Sequence, residues 1–187
     1  MYGVKMKGAV MGMISTVPPE QASGDLAQVY GQIRQAFGAV PNGMRLFSSS
    51  PALLEQGWRQ LDYYLQHPRL SFPLLAFIRL LVSQRHECEY CIGMNESMLI
   101  DRGGFAVADV LAARRNPADA PLPEKDKAML LAVLKAVEAP KALEKADLDR
   151  LRGLGWEDGD IVDAVFHGAR NVATDIMFNA FKVERDF

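Results

Sequence analysis

The sequence predicts an all-α, single-domain protein, a helical bundle of about eight to nine helices. Apolar residues recur at three- and four-residue spacing along most of the chain. Serine and proline stand where such helices would start, and glycine where they would stop. No segment carries a convincing run of alternating β-branched residues.

Each element follows from its own residues. Residues 1–13 hold Lys5 and Lys7 among Gly, Val and Met and lack the apolar block of a secretory signal. They are expected to form a loose N-terminal extension, with the helical domain over 14–187 in halves of about 14–115 and 123–187. Ser23 is a candidate N-cap for a helix from 23 to 37, whose Leu26, Val29, Tyr30, Ile33 and Phe37 share a face before Gly38. Val40-Pro41-Asn42-Gly43 turns the chain, and a short helix is predicted around 44–47. Ser50-Pro51 opens the next helix, through Leu54, Trp58, Leu61 and Leu65. After His67-Pro68, residues 72–84 are apolar on nearly every side, which predicts a central, buried helix. The helix bearing both cysteines is predicted from 88 to 101, ended by Gly103-Gly104. Further helices are expected over 105–114, 124–137, 145–152 and 157–182, with the proline-rich stretch 116–123 as the internal linker.

Composition narrows the function. Of 187 residues, 49% are apolar and 24% charged, with a net charge of −2. Basic residues are scattered among acids, which argues against a nucleic-acid or anionic-membrane partner. No apolar run approaches the roughly 20 residues needed to span a bilayer. These features and the absence of a signal predict a cytoplasmic protein.

Cys88 and Cys91 are the only cysteines. Closing so short a loop stabilises little, so in a reducing compartment Cys-x-x-Cys suggests redox or metal chemistry rather than stapling. At a helix start, unpaired backbone N–H groups stabilise a thiolate, and three-residue spacing puts both sulfurs on nearly one face. That arrangement allows thiolate attack, a sulfenic acid or mixed disulfide, and resolution by the partner. Glu87 and Glu89 oppose thiolate formation, whereas His86 can favour it as a cation or take its proton as a base. The bland alternative is a pair of buried small hydrophobes. A zinc site within one chain is not expected, because Cys88, Cys91 and His86 supply three donors where a structural site takes four. No cofactor is expected. His67 is predicted to be a surface or cap residue. His167 is predicted to be hydrogen-bonded and half-buried, sharing a face with Asn171 and Asp175.

The segment Ser83-Gln84-Arg85-His86-Glu87-Cys88-Glu89-Tyr90-Cys91-Ile92-Gly93-Met94-Asn95 resembles the dithiol segment of the alkylhydroperoxidase D-like and carboxymuconolactone decarboxylase superfamily, most of all its peroxidase-related branch. Gly24-Asp25-Leu26, Phe37 to Asn42, Ser50 to Leu54, Lys125 to Ala128 and Leu148 to Asp163 are similar to the same branch, over roughly residues 14–183. The resemblance implies an AhpD-like helical bundle assembled as a trimer, hexamer or dimer. It implies an antioxidant enzyme, a peroxidase of peroxiredoxin-type activity, that reduces hydroperoxides with Cys88 and Cys91 and draws electrons from a thiol or lipoyl donor. The family's relay glutamate and histidine fall at Ala76 and Asn95, neither of which exchanges protons. His86, Tyr90, Asn95 and Glu96 are the candidate assisting residues. The alternative reading is a catalytically silent scaffold or small-molecule-binding oligomer of the same fold.

Overall fold

The computed structural model describes residues 9–11 and 13–187 and divides the chain into two compact units. Of the described residues, one unit holds those up to 66 together with 178–187 and the other 67–177; the proline-rich stretch 116–123 lies inside the second.

In the first unit, strand β1 (Ala9–Met11) pairs antiparallel with β2 (Ile14–Thr16), Ala9 facing Thr16. Within the stretch expected to be a loose extension, residues 9–11 thus form a strand, and residues 1–8 and 12 lie outside the described residues. Strands of three residues are too short for alternation to show in sequence, and ladder hydrogen bonds alone define them. Helix α1 (Gly24–Phe37) follows Ser23, whose side chain makes no capping hydrogen bond, and ends at Gly38. Short α2 (Asn42–Leu46) runs into a 3-10 turn, and Pro51 opens α3 (Pro51–Leu65). Val29, Tyr30, Ile33, Val40, Leu54 and Trp58 form the core between α1 and α3. Its two polar aromatic edges are satisfied, Tyr30 Oη donating to the Val17 carbonyl (2.9 Å) and Trp58 Nε1 to Gln32 Oε1 (2.6 Å).

The second unit is built around α4 (Phe72–Arg85), capped by the Ser71 hydroxyl on the Leu74 amide. Leu74 through Ile78 and Leu80 through Ser83 are buried, as the all-round apolar pattern requires. Each such Leu, Ile or Phe contributes about 1.5–3 kcal/mol on leaving water. Helices α5 (Glu89–Ser97) and α7 (Glu124–Glu138) pack on α4. The predicted single helix over 88–101 instead ends at Ser97 and widens into a π turn over Met98–Arg102. Gly103 is obligatory at its exit, since a Cβ there would lie 2.5 Å from the Leu99 carbonyl oxygen. Then come α6 (Val107–Arg115), α8 (Lys145–Gly153) with its Glu144–Asp147 capping box, and α9 (Asp158–Phe181). At Gly168 the last helix comes close to its neighbours: a Cβ would meet Val133 Cγ1 at 2.6 Å and Val137 Cγ2 at 3.1 Å.

His67 closes the turn before α4, its Nδ1 accepting from the Arg69 and Leu70 amides while Nε2 faces Asp163 at 3.3 Å. Nine α-helices among the described residues bear out the all-α expectation. No described helix is long and apolar enough to cross a membrane.

Candidate active site

A polar stripe of α9 lies on a polar stripe of α4. On α4, Arg79 and Ser83 are one turn apart; on α9, His167, Asn171 and Asp175 repeat at the same interval. Their pairing runs in one direction. Arg79 Nη1 lies 3.2 Å from His167 Nε2, Asn171 Nδ2 donates to Ser83 Oγ (2.7 Å), and Ser83 Oγ donates to Asp175 Oδ1 (2.8 Å). Asn171 Nδ2 also bonds Asp175 Oδ2 at 3.0 Å. Guanidinium nitrogens only donate, so His167 Nε2 accepts and Nδ1 carries the proton, which is bonded to the Leu75 backbone. Burial and the Arg79 charge hold that imidazole well below its ordinary pKa and neutral.

The dithiol meets the end of this ladder. Helix α4 stops at His86, and Glu87 turns the chain with φ of 51°, a left-handed conformation costing a non-glycine residue about 1–2 kcal/mol. The turn leaves Cys88 as N-cap of α5 and Cys91 three residues on, both buried and both free thiols. The two sulfurs and a carboxylate oxygen of Asp175 all lie within 4.8 Å of one another.

Cys88 is the more acidic thiol. A hydrogen bond from the Cys91 thiol lowers it most, against the opposing effect of burial, and the Cys91 amide adds a smaller polarisation without a capping bond. The helix start therefore contributes less than its sequence position suggested, and the partner thiol more. Cys91, as donor, is pushed up by that same bond, by burial and by the Asp175 charge. Burial raises Asp175 in turn, against hydrogen bonds from Ser83, Cys91 and Cys88. Arg79 retains partial exposure, yet burial is the main effect bringing it down to about 10, so it stays a cation. The two thiols and the carboxylate also suit a soft divalent ion by type, but they are three donors where a closed zinc site takes four.

The candidate assisting residues are dispersed around this cluster. Asn95 is buried and fully engaged, accepting from Arg79 Nε (2.7 Å) and donating to the Cys91 carbonyl (2.8 Å). It orients α5 against Arg79. Glu96 pairs with Arg114 (2.6 Å), which also binds Gln84. Tyr90 is buried in the first turn of α5, and Ala76 is enclosed in α4. His86 is half-buried, acts electrostatically on Asp175, and lines a 410 Å³ cleft with Val82, Arg85, Leu134, Val137 and Glu138. Arg79, Ser83 and Asp175 had not been assigned a role. Their signal was polar residues at four-residue spacing in otherwise apolar helices.

No family model matches the chain. An AhpD-core, peroxidase-related protein of Ralstonia eutropha superimposes with a TM-score of 0.82, over 96% of this chain and 94% of that one, at 20% identity. The chain has the AhpD fold. A second peroxidase-related AhpD-fold protein, from Silicibacter, gives 0.80 over 97% and 95%, at 21% identity. A cysteine-to-alanine variant of the debrominase Bmp8, solved in complex with 2,3,4-tribromopyrrole, gives 0.75 over 97% and 94%, at 16% identity. By sequence, an alkyl hydroperoxide reductase of Mycobacterium tuberculosis is 28% identical over 105 residues, 56% of this chain. The match spans only 30% of that longer relative. Likeness in the AhpD fold and in part of one reductase sequence thus accompanies the dithiol cluster.

Proposed function

We propose that the protein is a thiol peroxidase that reduces hydroperoxides with Cys88 as nucleophile and Cys91 as resolving thiol. The observation that carries this reading is the adjacency of the two sulfurs, with Cys88 made the stronger acid by the Cys91 hydrogen bond. The Cys88 thiolate attacks the terminal oxygen of the hydroperoxide, the O–O bond breaks, and Cys88 becomes a sulfenic acid while an alcohol leaves. Cys91 then attacks the Cys88 sulfur and expels water, forming the disulfide. A dithiol donor, which the family resemblance suggests is a lipoyl or protein thiol, returns two electrons and two protons. Cys88 is fully enclosed and Cys91 keeps 5% of its surface, so the reaction requires the cluster to open to the oxidant.

The decisive experiment is thiol titration before and after excess tert-butyl hydroperoxide. Both thiols are expected to disappear together, Cys91→Ser to stop at a dimedone-reactive Cys88, and Cys88→Ser to consume no peroxide. Two thiols still free under excess oxidant would overturn the proposal. That result would favour the second reading, a binding scaffold, whose support is Ala76 and Asn95 at the relay positions.

A homo-oligomer belongs to the same proposal. Val162, Phe166 and Ile176 share one face of α9 and are 67%, 49% and 58% exposed, an apolar stripe suited to a second copy of this chain. Sedimentation at micromolar concentration is expected to give an oligomer that Phe166→Glu dissociates; a wild-type monomer would contradict it.

A further inference from the structure

We propose that Asp175 is the catalytic proton carrier of the dithiol, doing from α9 the work that Ala76 and Asn95 cannot do. The proposal rests on the peroxidase reading for the oxidant, but not for the proton transfer between Asp175 and Cys91.

Asp175 is enclosed, with 0% exposure, and a carboxylate oxygen lies within 4.8 Å of both sulfurs from a different helix. A buried carboxylate is costly unless a cation or a function accounts for it. Asp160, the other buried carboxylate among the described residues, is accounted for by Arg69 at 2.7 Å. Asp175 has no ion pair among the described residues. Its neighbours are the Ser83 hydroxyl, the Asn171 amide and the two thiols, with His86 acting on it electrostatically. Arg79, one turn before Ser83, is occupied by Asn95 and His167. The Ser83–Asn171 pair therefore fixes the carboxylate in place without neutralising it, as a group that accepts and returns a proton must be fixed. Burial raises its affinity for a proton, which brings it closer to that of a working acid–base group.

The proton count closes over the cycle. Protonated Asp175 gives its proton to the alkoxide released when the Cys88 thiolate takes the hydroperoxide oxygen. The resulting carboxylate removes the Cys91 proton as that sulfur attacks the Cys88 sulfenic acid. It then returns the proton to the departing hydroxide, which leaves as water. Reduction of the disulfide by a dithiol brings two protons, one restoring Cys91 and one restoring Asp175 beside the Cys88 thiolate.

Asp175→Asn separates this role from a structural or purely electrostatic one, because two readouts move in opposite directions. Asparagine, like the protonated acid, puts no negative charge beside the Cys88 thiolate, so iodoacetamide alkylation of Cys88 at pH 7 is expected to stay level, or to quicken to the extent that the carboxylate form opposed it. Hydroperoxide turnover is expected to fall about 10²-fold, within the range of general acid–base catalysis. Resolution of a Cys88 mixed disulfide with hydroxyethyl disulfide should slow similarly, with Asp175→Glu recovering part of both rates. If Asp175→Asn does not fold, Ser83→Ala, which leaves the carboxylate present but loosened, is expected to lower both rates about tenfold. Alkylation and turnover falling together, Asp175→Asn turnover within threefold of wild type, or Asp175→Glu no better than Asp175→Asn would overturn the assignment. Wild type that consumes no hydroperoxide yet resolves the mixed disulfide far faster than Asp175→Asn would sink the peroxidase reading while sustaining the role of Asp175.

Discussion

Tyr30 and Trp58 in the first unit and Arg79, Ser83, His167, Asn171 and Asp175 in the second are all polar groups carried into an interior, but with different consequences. The two aromatic residues bury wide apolar rings and satisfy one polar atom each, the Tyr30 hydroxyl with the Val17 carbonyl and Ser48 and the Trp58 Nε1 with Gln32. Burial lifts the Tyr30 phenol further from titration, so it remains neutral. In the second unit the buried groups are ionisable or bonded to ionisable ones, and their bonds run from helix to helix. A core built the first way is stabilised by every group in it. One built the second way gives up stability at Asp175 and His167 and gains a place where protons and electrons can move.

The largest expected effect that sharpens this contrast is in the apolar unit. Trp58→Ala removes a ring that packs edge-on against Phe37, with centroids 6.3 Å apart, and leaves Gln32 without its partner. Large-to-small changes of this kind cost about 3–5 kcal/mol. Urea unfolding should register that loss, while alkylation of Cys88 in the still-folded protein at pH 7 stays within about twofold of wild type. A tenfold change in alkylation would break the contrast, since the first core would then be tuning the dithiol.

How much of this was legible in the sequence divides along the same line. Periodicity located each long helix to within a few residues, because burial of one face governs the choice of residue at every third or fourth position. The β1–β2 pair was missed because backbone hydrogen bonds hold it. The π turn at Met98–Arg102 was missed because one wider turn does not disturb the apolar pattern around Leu99. At the site, Cys88 and Cys91 announced themselves by spacing alone. His167, Asn171 and Asp175 were visible as a stripe, but nothing local says that this stripe ends on sulfurs some eighty residues earlier in the chain. Only the packing of α9 on α4 joins them, and that packing brings together residues about ninety positions apart, such as Ser83 with Asn171 and Asp175. The acidity of Cys88 was anticipated from the helix start, whereas its main source is a neighbour's thiol proton that spacing cannot orient.

A smaller effect tests whether the second interior carries the cost assigned to it. His167 is held neutral, with its folded pKa well below the ordinary 6.5. Between these two values the unfolded chain binds a proton that the folded protein refuses. Stability contributed by His167 is thus fully present above pH 6.5 and falls as pH drops through that window, by about 1.4 kcal/mol per pH unit. Asp175 works in the opposite sense. Its raised pKa lets the folded protein keep a proton the unfolded chain releases, so its contribution improves as pH falls toward 3.8. Below pH 6.5 these two slopes add to those of the other titrating groups, among them the lowered Asp147 and Asp149, which wild type and a His167 variant share. His167→Gln, whose amide oxygen can still accept from Arg79, removes one slope and leaves the other. Urea midpoints at pH 7.5, 6.5 and 5.5 should therefore run parallel for the two proteins above 6.5. Below it they should diverge, with the variant losing less stability than wild type or gaining some. Parallel curves throughout would mean that His167 takes a proton inside the fold as readily as outside, and the α4–α9 ladder would then have to tolerate two adjacent cations at Arg79 and His167.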